Sequence, residues 1–257
     1  MVSVGHLTNP PFCDSVLGLL IKGETMENAV WTHDRWATTI ESWVQRTLVG
    51  ESNRAIGVVP YWIETREIRV MWEDGILPNV AAMVAEEIRA FVGELGIGVE
   101  FEVILYGSSW DESGRRIGVS DYIRPAMING ELDHRALFDL SYGETYRQER
   151  QHADVYIATR PFVDDRVSWG AAIFEHGCMM LTLWGRRQHS RQFVRSVVRH
   201  EMCHLLGMPI HCDDIGVQGW AHDASCNMHY ALPSSRLCDK CREFLTRWWS
   251  EIHRLCS

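Results

Sequence analysis

His200-Glu-Met-Cys-His204-Leu-Leu-Gly207-Met-Pro-Ile-His211 is followed at once by Cys212. On a helix, His200 and His204 stand one turn apart on one face and can hold a single metal ion between them. Glu201 lies about 100° round the helix, near enough to reach a water at that metal without ligating it. Gly207 can end the helix in a left-handed conformation, and Pro209 forbids its continuation. The chain then turns back and offers a third imidazole, His211. Three protein ligands and one open position are the arrangement of a catalytic zinc ion rather than a structural one.

The surroundings support this reading. Ser190 is placed to cap the helix. Phe193 and Val197 recur at i and i+4 in line with His200 and His204, so the histidine face is expected to point inward. Arg191, Arg195 and Arg199 form the opposite stripe. Downstream come Cys226-Asn-Met228-His-Tyr230 and Cys238-Asp-Lys-Cys241.

This constellation resembles the metzincin zinc peptidases and, within them, the archaemetzincins. Their pattern HExxHxxGxxHC, CxM and CxxC is matched by His200, Glu201, His204, Gly207, His211, Cys212, Cys226, Met228, Cys238 and Cys241. The resemblance implies a catalytic zinc ion on His200, His204 and His211, with Glu201 as general base. It implies a second, structural zinc ion on Cys212, Cys226, Cys238 and Cys241. Met228 would be the methionine of the turn beneath the catalytic ion. The spacing differs in three places: one extra residue separates Gly207 from His211, thirteen residues lie between Cys212 and Cys226, and nine between Met228 and Cys238. The extra residue leaves Asp213, Asp214 and His222 as rivals for the third ligand position, although the adjacent His211-Cys212 pair favours His211. Tyr230 follows the methionine by two, as a tyrosine does in the astacin branch. It reads either as support for an oxyanion or as a buried aromatic with its hydroxyl satisfied.

Composition narrows the partners. The chain has 257 residues, 46% of them hydrophobic, with 11 tryptophans, enough for a substantial core. A net charge of −9 without a basic stripe argues against nucleic acid as a partner. No run approaches 18 consecutive apolar residues, so no membrane span is expected. The opening residues lack the charged and apolar blocks of a secretion signal. Eight cysteines, four of them at metal-like spacing, then read as thiols and thiolate ligands of a cytoplasmic protein rather than as disulfides. The implied partner is a peptide or protein substrate. The sequence is silent on oligomeric state.

Along the chain, Asp34 to Gly50 reads as a helix, Ala55–Val59 and Glu67–Trp72 as strands, and Pro78 to Gly96 as an amphipathic helix. Val99–Tyr106 reads as a strand with Val99, Phe101, Val103 and Leu105 on one face. Leu132–Gln151 is charged and helical, with a solvated face near Arg147, Glu149 and Arg150. Val155–Thr159 is a strand. Ala171–Phe174 and Cys178–Trp184 form a hairpin, and residues 239–255 a terminal helix.

The expected class is α+β, of the α/β-type zincin kind: a twisted mixed sheet with helices, an active-site helix carrying HExxH, and a C-terminal subdomain with a zinc ion on four cysteines. Residues 1–50 read as an N-terminal extension with one helix. Residues 51–257 read as an archaemetzincin-like catalytic domain, with an upper part at 51–206 and a lower zinc-bound part at 207–257. By the same resemblance, Val167–Phe174 is the sheet edge on which an extended peptide would lie as an added strand. The expected activity is zinc-dependent peptide hydrolysis. Its rivals are a zinc-stabilised peptide-binding module without turnover and a zinc amidohydrolase acting on a non-peptide amide.

Overall fold

Alternation and helical spacing resolve into a layered sheet. The computed structural model describes residues 61–107, 123–142, 152–163, 169–174, 177–184, 190–208, 211–212, 225–229 and 234–256. The expected helix over 34–50, the strand over 55–59, the charged face at Arg147 to Arg150, Asp213, Asp214, His222 and Tyr230 lie outside the described residues.

A short helix, α1 (Tyr61–Thr65), leads into β1 (Glu67–Trp72). Helix α2 (Pro78–Leu95) starts on Pro78, where a missing N–H removes nothing from the helix, and ends at Gly96 with φ 64°. Its buried stripe is Ala81, Val84, Ala85, Ile88, Phe91, Val92 and Leu95. Strand β2 (Glu102–Gly107) pairs parallel with β1. It begins three residues later than its apolar alternation suggests, and Leu105 is exposed because β2 is an edge strand with a solvated side.

A small ribbon, β3 (Met127–Ile128) and β4 (Glu131–Leu132), precedes α3 (His134–Tyr142). Strands β5 (Ala153–Ala158), β6 (Gly170–Ile173) and β7 (Cys178–Thr182) complete the main sheet. Its order is β2-β1-β5-β7-β6, parallel except for β6, which runs antiparallel to β7 at the edge. Every residue of β5 and β7 is buried, as inner strands covered on both faces require.

Alternation sorts the strands' side chains into two cores. Ile68, Val70, Val155, Ile157, Met179 and Leu181 face one core, which also takes side chains from α2, α4 (Arg191–Leu205) and α5 (Asp239–Cys256). Met71, Tyr156, Ala158, Cys178 and Met180 face the other, which is closed by Ile123, Leu137 and Phe138. The mixed sheet with helices and a C-terminal cysteine cluster is consistent with a zincin-like fold. Among the described residues, no helix is long and apolar enough to cross a membrane.

Candidate metal centre

Helix α4 begins where Ser190 accepts a hydrogen bond from the Phe193 N–H at 3.1 Å. Its fully buried stripe is Val194, Val198, Glu201, Met202 and Leu205. Phe193, Val197, His200 and His204 are only half-buried. Phe193 and Val197 pack against the rim of the main core, so the histidine face borders the interior without being sealed in it. Within the arginine stripe Arg191 is exposed and Arg199 is not. Arg199 is only 4% exposed, because its guanidinium reaches Glu87 at 2.5 Å and grips both oxygens of Glu94 at 2.6 Å. Carboxylates on α2 thus turn an apparently solvated face into a helix–helix junction.

The helix stops at the glycine that follows the second histidine by three. Gly207 has φ 104°, and a β-carbon there would come within 2.6 Å of Trp248 Cε2. Both the backbone and the packing of α5 therefore require glycine. Trp249 Nε1 donates to the Leu206 carbonyl at 3.1 Å and holds the turn to α5.

His211 returns to the helix despite the extra residue before it. Its Nε2 is 3.0 Å from His200 Nε2 and 3.2 Å from His204 Nε2. His200 Nδ1 donates to the Asn227 carbonyl at 2.8 Å, and His204 Nδ1 to the Met208 carbonyl at 2.7 Å. Those donations fix the tautomers, so both Nε2 lone pairs point at one spot. Crowded lone pairs repel unless a cation lies between them. Tetrahedral zinc at about 2.0–2.1 Å from each nitrogen would set them about 3.4 Å apart, close to what is found. Burial pushes the pKa of His211 down to about 3, which keeps its ring neutral and able to ligate.

Glu201 is 6% exposed, and burial pushes its pKa up to about 8. A β-carbon on Gly170, the first residue of β6, would lie 2.6 Å from the carboxyl carbon and from Oε1 of Glu201. The edge strand thus runs directly over this carboxyl group.

The second cluster is Cys212, Cys226, Cys238 and Cys241, all buried, with ligand atoms all within 4.8 Å of one another. Cys226 and Cys241 sulfurs are 3.8 Å apart, and those of Cys212 and Cys238 4.0 Å. A disulfide needs about 2.05 Å, whereas tetrahedral zinc at about 2.3 Å from each sulfur gives about 3.8 Å. Hydrogen bonds from Cys226 and Cys241 pull the Cys238 thiol down, while burial pushes Cys212 up to about 12. Crowding therefore favours a single thiolate until a cation arrives. Met228 is buried in the main core, and its carbonyl accepts from the Cys212 N–H at 2.7 Å.

No protein-family model matches the chain, and no curated protein does. Among solved structures it is similar to archaemetzincin from Methanopyrus kandleri, with a TM-score of 0.50 and 18% identity over 72% of this chain and 95% of that one. It is also similar to a zinc-dependent peptidase from Methanocorpusculum labreanum, with a TM-score of 0.40 and 15% identity over 69% of this chain and 99% of that one. Archaemetzincin from Archaeoglobus fulgidus, complexed with malonate, gives a TM-score of 0.42 and 11% identity over 69% of this chain and 99% of that one. The first likeness shows a shared fold, and the other two add no weight to it.

Three participants were missed in the sequence. Asn227 sits inside the CxM signature but reads there as a spacer. Gly170 is one glycine among 20. Ser196 lies one turn before His200 on the helix, and its hydroxyl donates to the Ser234 carbonyl at 2.7 Å.

Proposed function

We propose that this protein is a zinc-dependent metallopeptidase that hydrolyses peptide bonds with water. The observation that carries the proposal is the convergence of three imidazole Nε2 atoms on a half-exposed point beside a carboxyl group that is not among the converging groups. His200, His204 and His211 would hold the catalytic ion, and the four cysteines a structural one. Zinc held by three imidazoles, with one position open, supplies Lewis acidity that makes water acidic near neutrality and polarises a carbonyl.

The chain's own groups do the rest. Glu201 takes the proton of the attacking water and hands it to the leaving amine nitrogen. Burial favours the protonated carboxyl that the second step needs, and the positive charge of a loaded site favours the carboxylate that the first step needs. An extended peptide lies along β6 as an added strand, bonding to the edge of the sheet. Tyr230, outside the described residues, would support the oxyanion. Four unoxidised thiols at metal spacing suit a reducing compartment such as the cytoplasm.

The test is Glu201→Gln in the zinc-loaded chain, read on a peptide library by mass spectrometry. We expect both metals to be kept and hydrolysis to fall about 10²- to 10⁴-fold. Undiminished turnover would refute the general-base role. Peptide capture by the unsubstituted chain without cleavage would move it to the binding-module class, and cleavage of non-peptide amides alone to the amidohydrolases.

A further inference from the structure

We propose that Asn227 is a positioning residue that couples the two metal clusters, so that an ion in the cysteine site strengthens metal binding at the histidine site. The inference rests on the metal-site part of the reading above, and not on turnover.

The two clusters are interleaved in the chain. His211 and Cys212 are neighbours, yet each belongs to a different cluster. Cys226, Asn227 and Met228 repeat the arrangement, with a cysteine-cluster member beside the residue whose carbonyl orients His200.

Asn227 is 2% exposed and joins α4 to the segment before α5. Its Nδ2 donates to the Ser196 carbonyl on α4 at 2.9 Å and to the Ser234 carbonyl. Its backbone N–H donates to the Arg236 carbonyl at 2.6 Å, and its own carbonyl accepts from His200 Nδ1 at 2.8 Å. Both neighbours of the amide are carbonyl acceptors, so its nitrogen must face them. Among the described residues, Oδ1 then finds no donor. A buried acceptor left in that state is unfavourable, which argues that the amide is kept for its geometry rather than for net stability.

The cysteine cluster closes the same loop from the far side. The Cys238 N–H reaches Cys226 sulfur at 3.4 Å, and the Cys212 N–H donates to the Met228 carbonyl. Thiol hydrogen bonds are weak, whereas metal–thiolate bonds are not. An ion in the cysteine site therefore pins Cys226 and, through one peptide unit, the Asn227 carbonyl. Partners of this kind, which hold the second nitrogen of a ligating imidazole, change metal affinity by about 10- to 100-fold.

The experiment uses the full chain and cobalt(II) as probe, because only the cysteine site gives a thiolate-to-cobalt absorption band. Zinc affinity at the histidine site is then read by chelator competition. We expect Asn227→Ala to weaken the histidine site about tenfold or more while the thiolate band titrates as in the unsubstituted chain. Linkage requires the reciprocal effect. His204→Ala, which empties the histidine site, should weaken retention at the cysteine site in the unsubstituted background and not in the Asn227→Ala background. Equal histidine-site affinity with and without Asn227→Ala overturns the proposal.

Should Asn227→Ala fail to fold, Ser196→Ala removes the hydroxyl that ties α4 to Ser234 and leaves Asn227 in place. It should weaken the histidine site by less than Asn227→Ala does, and no change there overturns the proposal equally. A chain with no metal at the histidine site overturns both this inference and the peptidase reading. A chain that binds metal, shows the coupling and cleaves nothing overturns the peptidase reading alone.

Discussion

The two clusters differ in what surrounds them more than in how their donors converge. The cysteine cluster is sealed: Cys212, Cys226, Cys238 and Cys241 are all buried and supply four donors, a full tetrahedral shell. The histidine cluster is half-buried and supplies three, with an edge strand and a buried carboxyl group beside it. A shell with no vacancy can only stabilise, whereas a shell one donor short, open to one side, can meet a substrate. The segments at 211–212 and 226–228 serve both, whereas α4 supplies ligands only to the histidine cluster and α5 only to the sulfur one. Trp248 and Trp249 of α5 pack beneath Gly207 and Leu206, and its Cys241 closes the sulfur cage.

The largest expected effect breaks the sealed side. Cys238→Ser removes one of four thiolates from a buried site whose metal affinity is folding energy. We expect one zinc ion per chain in place of two and a loss of stability of about 4 kcal/mol or more, read by metal analysis and urea unfolding. Two ions per chain in this variant would show that the sealed cluster is not the second site.

Arg199 joins the sealed side to the open one. Besides Glu87 and Glu94 it reaches the Ser235 carbonyl at 2.9 Å, so it ties the histidine-bearing helix α4 to α2 and to the segment before Cys238. Its contact with Arg199 holds the Glu94 carboxyl below its ordinary range. Glu94 is 46% exposed, so solvent screens part of the interaction. Arg199→Met should lower stability by about 3 kcal/mol, less than full burial would give. Unchanged stability in this variant would contradict the joining role.

Gly170→Ala touches the open side alone. Its β-carbon must displace the Glu201 carboxyl group, and a shift of about 1 Å at a reacting group lowers turnover about 100-fold. Metal content should not change. Adding Glu201→Asp, which shortens the side chain, should recover part of the loss. Unaltered turnover in the single variant would separate the edge strand from the chemistry.

Why these features were unequally visible in the sequence has a physical basis. The spacings of His200, His204 and Gly207 follow from local helix geometry, and so do Ser190, Pro78 and Gly96 as helix ends. Local rules are written in adjacent residues and can be read there. The burial of Arg199 depends on Glu87 and Glu94, more than 100 residues away, and an i, i+4 stripe cannot announce such partners. Gly170 is legible only once the sheet has set β6 over α4. Leu105 went astray because alternation gives a face but not whether a neighbouring layer covers it. The return of His211 across an extra residue was a matter of loop geometry, for which a sequence carries no period.

The smallest expected effect sharpens the comparison by avoiding both clusters. Glu73, just after β1, is 2% exposed and accepts from Thr159 N–H at 2.8 Å, Thr159 Oγ1 at 2.6 Å and Arg160 Nε at 3.0 Å. Burial alone would raise its pKa, but the bonds from Thr159 and Arg160 outweigh that and the net shift is downward. A carboxyl group depressed in the folded state adds stability above its unfolded pKa and loses it as pH falls through the folded one. Glu73→Gln should therefore lower stability by about 1–2 kcal/mol at pH 7, and the gap between variant and parent should shrink once pH drops below the ordinary glutamate range. Because neither cluster contains or contacts this group, chelating the metals should leave that gap in place over the same pH range. A gap that vanishes on chelation would mean that the sheet and the metal-bound half do not unfold independently. Stability would then have to be assigned to the two clusters together with the sheet that carries them.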